Sequence, residues 1–360
     1  MENAIKKEQY FKWIYTLYIF VFIVNSTLAQ TDLKANLKDS PTTIIGFNHI
    51  GISVNDLDIM VAFYQNATDF EMVKREKVSA HEAADRLYAS EGVAYERVTF
   101  KAPNMLLELT EYANQENTVP QKMLPQGPGM THTCYQSPSW KSGYDKFKNA
   151  EIDMLSRGEE AVDLGGYGVT YAYGYDPEGN MIEMEQMEQH FMTRTGLDSL
   201  WVQKHDMWMT QVAIMSPDLK KISDFYQGVL GFLPNRIAKL ENMDRLDDIV
   251  NQDKVVLHAT WFKMDGPGKM VELMQYDHPK TPAKLHKKDP TDLGYTFSLE
   301  VKDIQQEYDR MKKLGVVFMS EPQLLGEFYT VFAHDIDGNV FSLRQAVSKD
   351  SGYSIQNFNY

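Results

Sequence analysis

The chain predicts an α+β fold in which tandem βαβββ modules pair into two half-barrel domains. Two observations carry this. First, four stretches share one layout. FNHIGISVNDL from Phe47 is echoed by MTQVAIMSPDL from Met209, and MLLELTEY from Met105 by MVELMQY from Met270. GMTHTC from Gly129 is echoed by GYTFSL from Gly294, and DPEGNMIEM from Asp176 by DIDGNVFSL from Asp335. Second, matching positions recur at near-constant steps: 83 residues from His49 to His132, 79 more to Gln211, and 86 more to Phe297. A fixed period marks repeated supersecondary units. This one is too long for a solenoid repeat and fits a strand, a helix and further strands. A single module leaves one sheet face bare, so modules are expected in pairs.

The N-terminus stands apart. Lys6, Lys7 and Lys12 precede an apolar run from Trp13 to Val24, and Thr27 and Ala29 then fit a signal-peptidase site. Residues 1–29 therefore read as a signal peptide, because the run is shorter than the roughly 20 apolar residues of a membrane span. An uncleaved anchor is the alternative. Cleavage places the protein in the periplasm or outside the cell, with no stable membrane partner. Residues 30–42 form a polar tether.

The first module starts with IIGFNHIGISV as a strand. DLDIMVAFYQNAT follows with apolar residues at helical spacing, and Asn55 and Asp56 lie where an N-cap belongs. The third module repeats this as QVAIMSPDLKKISDFYQGVLGF, with Ser216 and Asp218 at the cap. SPSWKSGYDKFKNA and VKDIQQEYDRMKKLG supply the other two helices. Turns at Asp176–Gly179, Asp335–Gly338, Ala102–Asn104 and Asp265–Gly268 each precede a strand. The predicted division is a first domain at 43–192, a Met- and Trp-rich crossover at 193–208, a second domain at 209–346, and a tail at 347–360.

A chain of 360 residues is long enough for two such domains. Its net charge of −14, without any Lys/Arg run, argues against nucleic acid and anionic membrane as partners. Cys134 is the only cysteine, so no intrachain disulfide can form. Export without a disulfide suits a domain with an adequate core of its own.

One column through the repeats gives His49, Glu108, His132 and Glu183 in the first half, and Gln211, Glu272, Phe297 and Ser342 in the second. Strand alternation gives Phe47, His49 and Gly51 one face, and likewise Met130, His132 and Cys134. A lone His in a strand is usually a hydrogen-bonded core residue, and a lone Glu usually faces solvent. Two of each in one repeat-defined column point to a single divalent ion, whether zinc, nickel, cobalt, manganese or iron. The second half is expected to keep the scaffold without the ligands. On that reading Gln211 is indifferent to metal and Glu272 is structural. Cys134 reads as a small buried thiol and Tyr173 as a packed aromatic. Glu185 reads either as a support for Glu183 or as a rim residue.

The chain after residue 29 resembles the vicinal oxygen chelate superfamily, which includes glyoxalase I, methylmalonyl-CoA epimerase, type I extradiol dioxygenases and the fosfomycin- and bleomycin-resistance proteins. NHIGISV, LLELTEY, GMTH and DPEGNMIEME carry the resemblance. It implies that His49, Glu108, His132 and Glu183 bind the metal, and that Glu183 or Glu108 moves a proton beside a polarised carbonyl or enediolate. The expected activity is that of a glyoxalase- or epimerase-like lyase or isomerase. Since glutathione and CoA thioesters are cytoplasmic, export favours a small oxygenated substrate. Two alternatives stand beside this. A ring-cleaving dioxygenase fits TyrGlyTyrAspPro around Tyr173 but expects a preceding His that Asp163–Val169 lacks. A non-catalytic small-molecule binder is the other. Four modules on one chain suit a monomer or a homodimer.

Overall fold

The computed structural model describes residues 42–113, 121–198, 200, 205–264, 269–283 and 289–358. The expected signal peptide and nearly all of the tether lie outside them. The first module runs β1 (Ile44–Val54), α1 (Leu57–Ala67), β2 (Glu71–Val78), α2 (Glu82–Tyr88), β3 (Tyr95–Lys101) and β4 (Leu106–Tyr112). The second runs β5 (Gly129–Pro138), α3 (Gly143–Asn149), the short β6 (Asp153–Met154) and β7 (Val162–Asp163), then β8 (Val169–Tyr175) and β9 (Met181–Met187). Helix α4 (Gln189–Thr195) opens the crossover. The third module runs β10 (Trp208–Met215), α5 (Leu219–Leu230), β11 (Arg236–Glu241), α6 (Asp244–Val250), β12 (Val256–Lys263) and β13 (Met270–His278). The fourth runs β14 (Gly294–Val301), α7 (Ile304–Lys313), β15 (Val317–Phe318), β16 (Gln323–Leu325), β17 (Phe328–His334) and β18 (Val340–Ala346). The short helices α2 and α6 are additions that the repeat pattern alone does not announce.

The expected caps form. Asp56 accepts from the Ile59 amide at 3.0 Å, and Asp218 from the Lys221 amide at 3.0 Å. Each satisfies a donor that the first helical turn leaves without an intrahelical partner.

The modules pair differently from the expected halves. One sheet runs β15-β17-β18-β14-β1-β4-β3-β2 and joins the first module to the fourth. The other runs β11-β12-β13-β10-β5-β9-β8-β6 and joins the second to the third. Their central seams, β1 against β14 and β5 against β10, are antiparallel. Residues 43–192 and 209–346 therefore remain the two repeats of the chain, but neither repeat closes a sheet on its own. All four opening strands are apolar and buried, and each offers a free edge. Their composition does not say which edges will meet.

The helices keep the halves together instead. Tyr64 in α1 donates to the Asp176 carboxylate at 3.1 Å, in the turn before β9. Glu178 in the same turn accepts from the Asn55 and Asp56 amides at 2.8 and 2.7 Å, ahead of α1. In the second half, Tyr226 in α5 donates to Asp335 at 3.0 Å. Rings cross the same boundaries, with Phe63 6.1 Å from Phe147 and Phe225 6.5 Å from Phe341. Helix packing thus joins modules that are neighbours in sequence, and sheet pairing joins modules across the halves. The expected tail is docked: Ile355 and Phe358 pack with buried Leu106, and the Ile355 amide donates to Glu300 at 2.9 Å.

Tyr64→Phe removes a donor from a fully buried carboxylate, a loss worth about 1–3 kcal/mol. Urea denaturation should show that drop, and Tyr226→Phe should show a similar one.

Candidate metal centre and a second cup

Each sheet collects part of the predicted column on one face, its cup. In the cup of β5 and β10, His132 Nε2 lies 3.4 Å from Glu183 Oε2 and 3.6 Å from Glu272 Oε2. The Gln211 amide nitrogen is 2.6 Å from the same Glu183 oxygen and 2.8 Å from the same Glu272 oxygen. All four side chains are buried. His132, Glu183 and Glu272 offer ligand atoms within 4.8 Å of one another. The His132 Nε2 atom has no good hydrogen-bond partner among the described residues.

The local backbone explains the aim of that imidazole. The register with β10 slips between Met130 and His132, leaving Thr131 as the extra residue of a bulge. The Thr131 hydroxyl lies 3.1 Å from His132 Nδ1 and so orients the ring, with Nε2 towards the carboxylates. Tyr173 packs on the ring at 5.1 Å between centroids. The Trp261 indole N–H donates to the other oxygen of Glu272. Glu185 is buried rather than on the rim. It accepts from the Gln136 amide, which itself accepts from Trp208 at 3.0 Å. Burial first, then the nearby Glu183, pushes the Glu185 carboxyl up to about 8. Cys134 is a buried thiol next to Glu183 and Glu185.

Two buried carboxylates facing one another need a cation between them or a proton on one of them, and burial does raise the Glu272 carboxyl. Burial lowers the proton affinity of His132, yet Glu183 and Glu272 outweigh it and raise the imidazole to about 9. The donor set itself fits a divalent ion: one imidazole nitrogen, two carboxylates and an amide whose oxygen and nitrogen can exchange places by rotation. Metal would displace the imidazole proton, so affinity should fall as pH falls.

His49 and Glu108 lie in the other cup. The expected four-ligand site of the first half is thereby divided, because β1 pairs with β14 and not with β5. Again a bulge precedes the histidine, between Phe47 and His49, and the extra residue Asn48 lies 3.0 Å from His49 Nδ1. The slip turns Phe47 away from the His49 face and into the core, where it meets Phe297 at 5.6 Å. Phe297 is accordingly a core residue, whereas Ser342 and Thr296 line the cup. Here the positive charge beside the carboxylate comes from the protein. Arg344 grips Glu108 through two bonds, of 2.7 and 3.2 Å, and Arg97 stands 3.4 Å away. Burial alone would raise the Glu108 carboxyl, but Arg344, His49 and Arg97 hold it well below the usual carboxylate range. A site already neutralised in this way has little use for a metal ion.

Glu272, read as structural, stands instead among the candidate ligands, and the pattern reading missed three further groups. Arg344 lies two residues beyond Ser342 on the same strand, in FSLRQ, and this spacing gives it the same face. Gln211 was in the column, and its amide oxygen is a competent ligand. Trp261 faces Glu272 across β12 and β13, a partnership visible only once those strands are paired.

Two sequence models described as the Glyoxalase/Bleomycin resistance protein/Dioxygenase superfamily match residues 46–184 and 210–329. The chain is 26% identical over 142 residues to an ethylmalonyl-CoA/methylmalonyl-CoA epimerase from Cereibacter sphaeroides, covering 39% of this chain and 96% of that protein. A variant of glyoxalase I from Zea mays superposes with a TM-score of 0.56 at 16% identity, covering 87% of this chain and 96% of that one. A putative dioxygenase from Bacillus subtilis superposes with a TM-score of 0.55 at 11% identity, covering 88% and 91%.

The second cup carries a pH prediction. Burial, then Arg344, holds the His49 imidazole well below its ordinary range. The unfolded chain takes up a proton near about 6.5 that the folded protein refuses. This stabilising contribution is complete above that pH and is lost as pH falls below it. Between about pH 7.5 and 5.5, melting temperature should therefore drop less in His49→Gln than in the unaltered protein. Glu108 gives way only at more acid pH, so the two effects separate.

Proposed function

Because the chain belongs to the vicinal oxygen chelate (Glyoxalase/Bleomycin resistance protein/Dioxygenase) superfamily, we propose that the β5/β10 cup is the metal-dependent active site of a proton-transferring lyase or isomerase. Its proposed ligands are His132, Glu183, Gln211 and Glu272. The observation that carries the reading is the buried His132 Nε2 facing two carboxylates that share one amide. A divalent ion there supplies Lewis-acid polarisation of a carbonyl oxygen, which acidifies the neighbouring C–H.

The residues divide the remaining work. Glu272 is anchored at both oxygens, by Trp261 and Gln211, and holds position. Glu183 is held by the Gln211 amide at one oxygen, which leaves it the freer carboxylate. It is the proposed base, taking the proton from the acidified carbon and returning it. The Trp208–Gln136–Glu185 chain supports the β9 wall behind it. Tyr173 packs on the His132 ring and Trp261 donates to Glu272, which keeps both side chains of the centre in place. A small-molecule substrate and an exported chain, acting as a monomer or homodimer, complete the proposal.

Ring cleavage is the weaker reading. Such enzymes use two histidines and one carboxylate, whereas this cup brings one histidine to two carboxylates and places His49 in the other sheet. Iron bound independently of Glu272, with turnover of a catechol, would favour it instead.

Elemental analysis of protein purified without added metal should find about one divalent ion per chain. His132→Ala should remove it, Gln211→Ala should weaken it, and His49→Ala should leave it in place. Metal loss in His49→Ala alone would place the centre in the wrong cup. With metal bound, Glu183→Gln should slow solvent-deuterium exchange into an α-hydroxyketone probe by roughly 10²–10⁴-fold. Exchange at the unaltered rate would remove Glu183 from the role of base.

A further inference from the structure

Beside His49, the sheet of β1 and β14 carries a cavity of about 180 Å³ over β3, β4, β17 and β18, lined by Arg97, Glu108, Arg344, Tyr88, Tyr95 and Phe328 among others. A dry cavity of about 150 Å³ is enough to hold benzene, so this one has room for a single ring. Its floor is positive: two guanidinium groups meet one carboxylate. The other carboxylates of the wall have partners of their own, Glu76 in Lys74 of the same wall at 2.8 Å and Glu327 in the Ser351 hydroxyl at 3.1 Å.

Arg344 supplies the more specific observation. A guanidinium has two edges that can each grip a carboxylate, one formed by the two terminal nitrogens and one by Nε with Nη2. Glu108 occupies the terminal edge. The remaining Nη1 hydrogen goes to Asn48 at 3.1 Å. Nε is buried and has no hydrogen-bond partner among the described residues, and one Nη2 hydrogen is left over, so the side edge lacks an acceptor. A buried donor without an acceptor is costly. Flat apolar surface lies next to it: the Arg344 guanidinium sits 4.8 Å from the Phe328 ring centre, and that of Arg97 sits 4.7 Å from Tyr95.

We infer that this cup is a second ligand site, independent of metal, which takes a small aromatic carboxylate with its anionic end on Arg344 and Arg97 and its ring among Tyr88, Tyr95 and Phe328. The two cups then bind by opposite logic. One offers carboxylates to a cation, and the other offers guanidinium groups to an anion. Glu108 competes with the ligand for Arg344 and sets how tightly it is held.

The test is calorimetric titration of the full chain with benzoate, and with benzamide as its neutral counterpart. Benzoate should bind once per chain and benzamide at least tenfold more weakly. Arg344→Lys keeps the charge but loses the fork, and should weaken benzoate tenfold or more. Should that variant not fold, Glu108→Gln serves alone. It removes the negative charge that competes for the guanidinium and should tighten benzoate. His132→Ala, emptied of metal, should bind benzoate as the unaltered protein does. Equal binding of benzoate and benzamide, no benzoate binding, or weaker binding in Glu108→Gln would overturn the inference. Loss of binding in His132→Ala would assign the carboxylate to the metal centre and overturn it equally.

Discussion

The antiparallel seams β1–β14 and β5–β10 are the contacts on which the rest of the structure depends. Each seam places the opening strand of one module against that of another, and so decides which inward side chains share a cup. The second seam brings His132 and Glu183 to Gln211 and Glu272. The first brings His49 and Glu108 to Arg344. Had β1 paired with β5, the same residues would have produced one cup with two histidines and another with neither. The function of the chain is thus set by a choice among equivalent strand edges.

Both cups face the same electrostatic problem and solve it in different ways. A carboxylate withdrawn from water must find a positive partner or take up a proton. In the first seam a guanidinium does this, held in place by Asn48 and Phe328. In the second, the described side chains bring two carboxylates together with one imidazole, a donor set that a proton or a divalent ion can balance. In both, a bulge places a polar residue, Asn48 or Thr131, against Nδ1 of the histidine that follows. This shared device fits descent of both cups from one module, while the partners around them have diverged.

The column His49, Glu108, His132 and Glu183 was legible because a repeat fixes which positions are equivalent, and because strand alternation brings equivalent positions to one face. The α1 and α5 caps and the turns at Asp176 and Asp335 were legible for a similar reason, since they are local. The face of Phe47 was misread, because a bulge breaks the period of two and nothing in the composition of β1 announces it. Arg344 was overlooked although its spacing from Ser342 was in plain view.

By itself, the sequence determined the number and order of the modules, their principal helices and strands, and the repeat column that contains His49, Glu108, His132 and Glu183. These depend on hydrophobic period and turn composition, which act over a few residues. Only the tertiary structure decided that His132 and Glu183 find their partners in Gln211 and Glu272, and that Arg344 closes over Glu108. The physical reason is that backbone edges pair through hydrogen bonds common to every residue. The chain's side chains therefore mark four interchangeable edges, and only packing of the complete molecule selects between them.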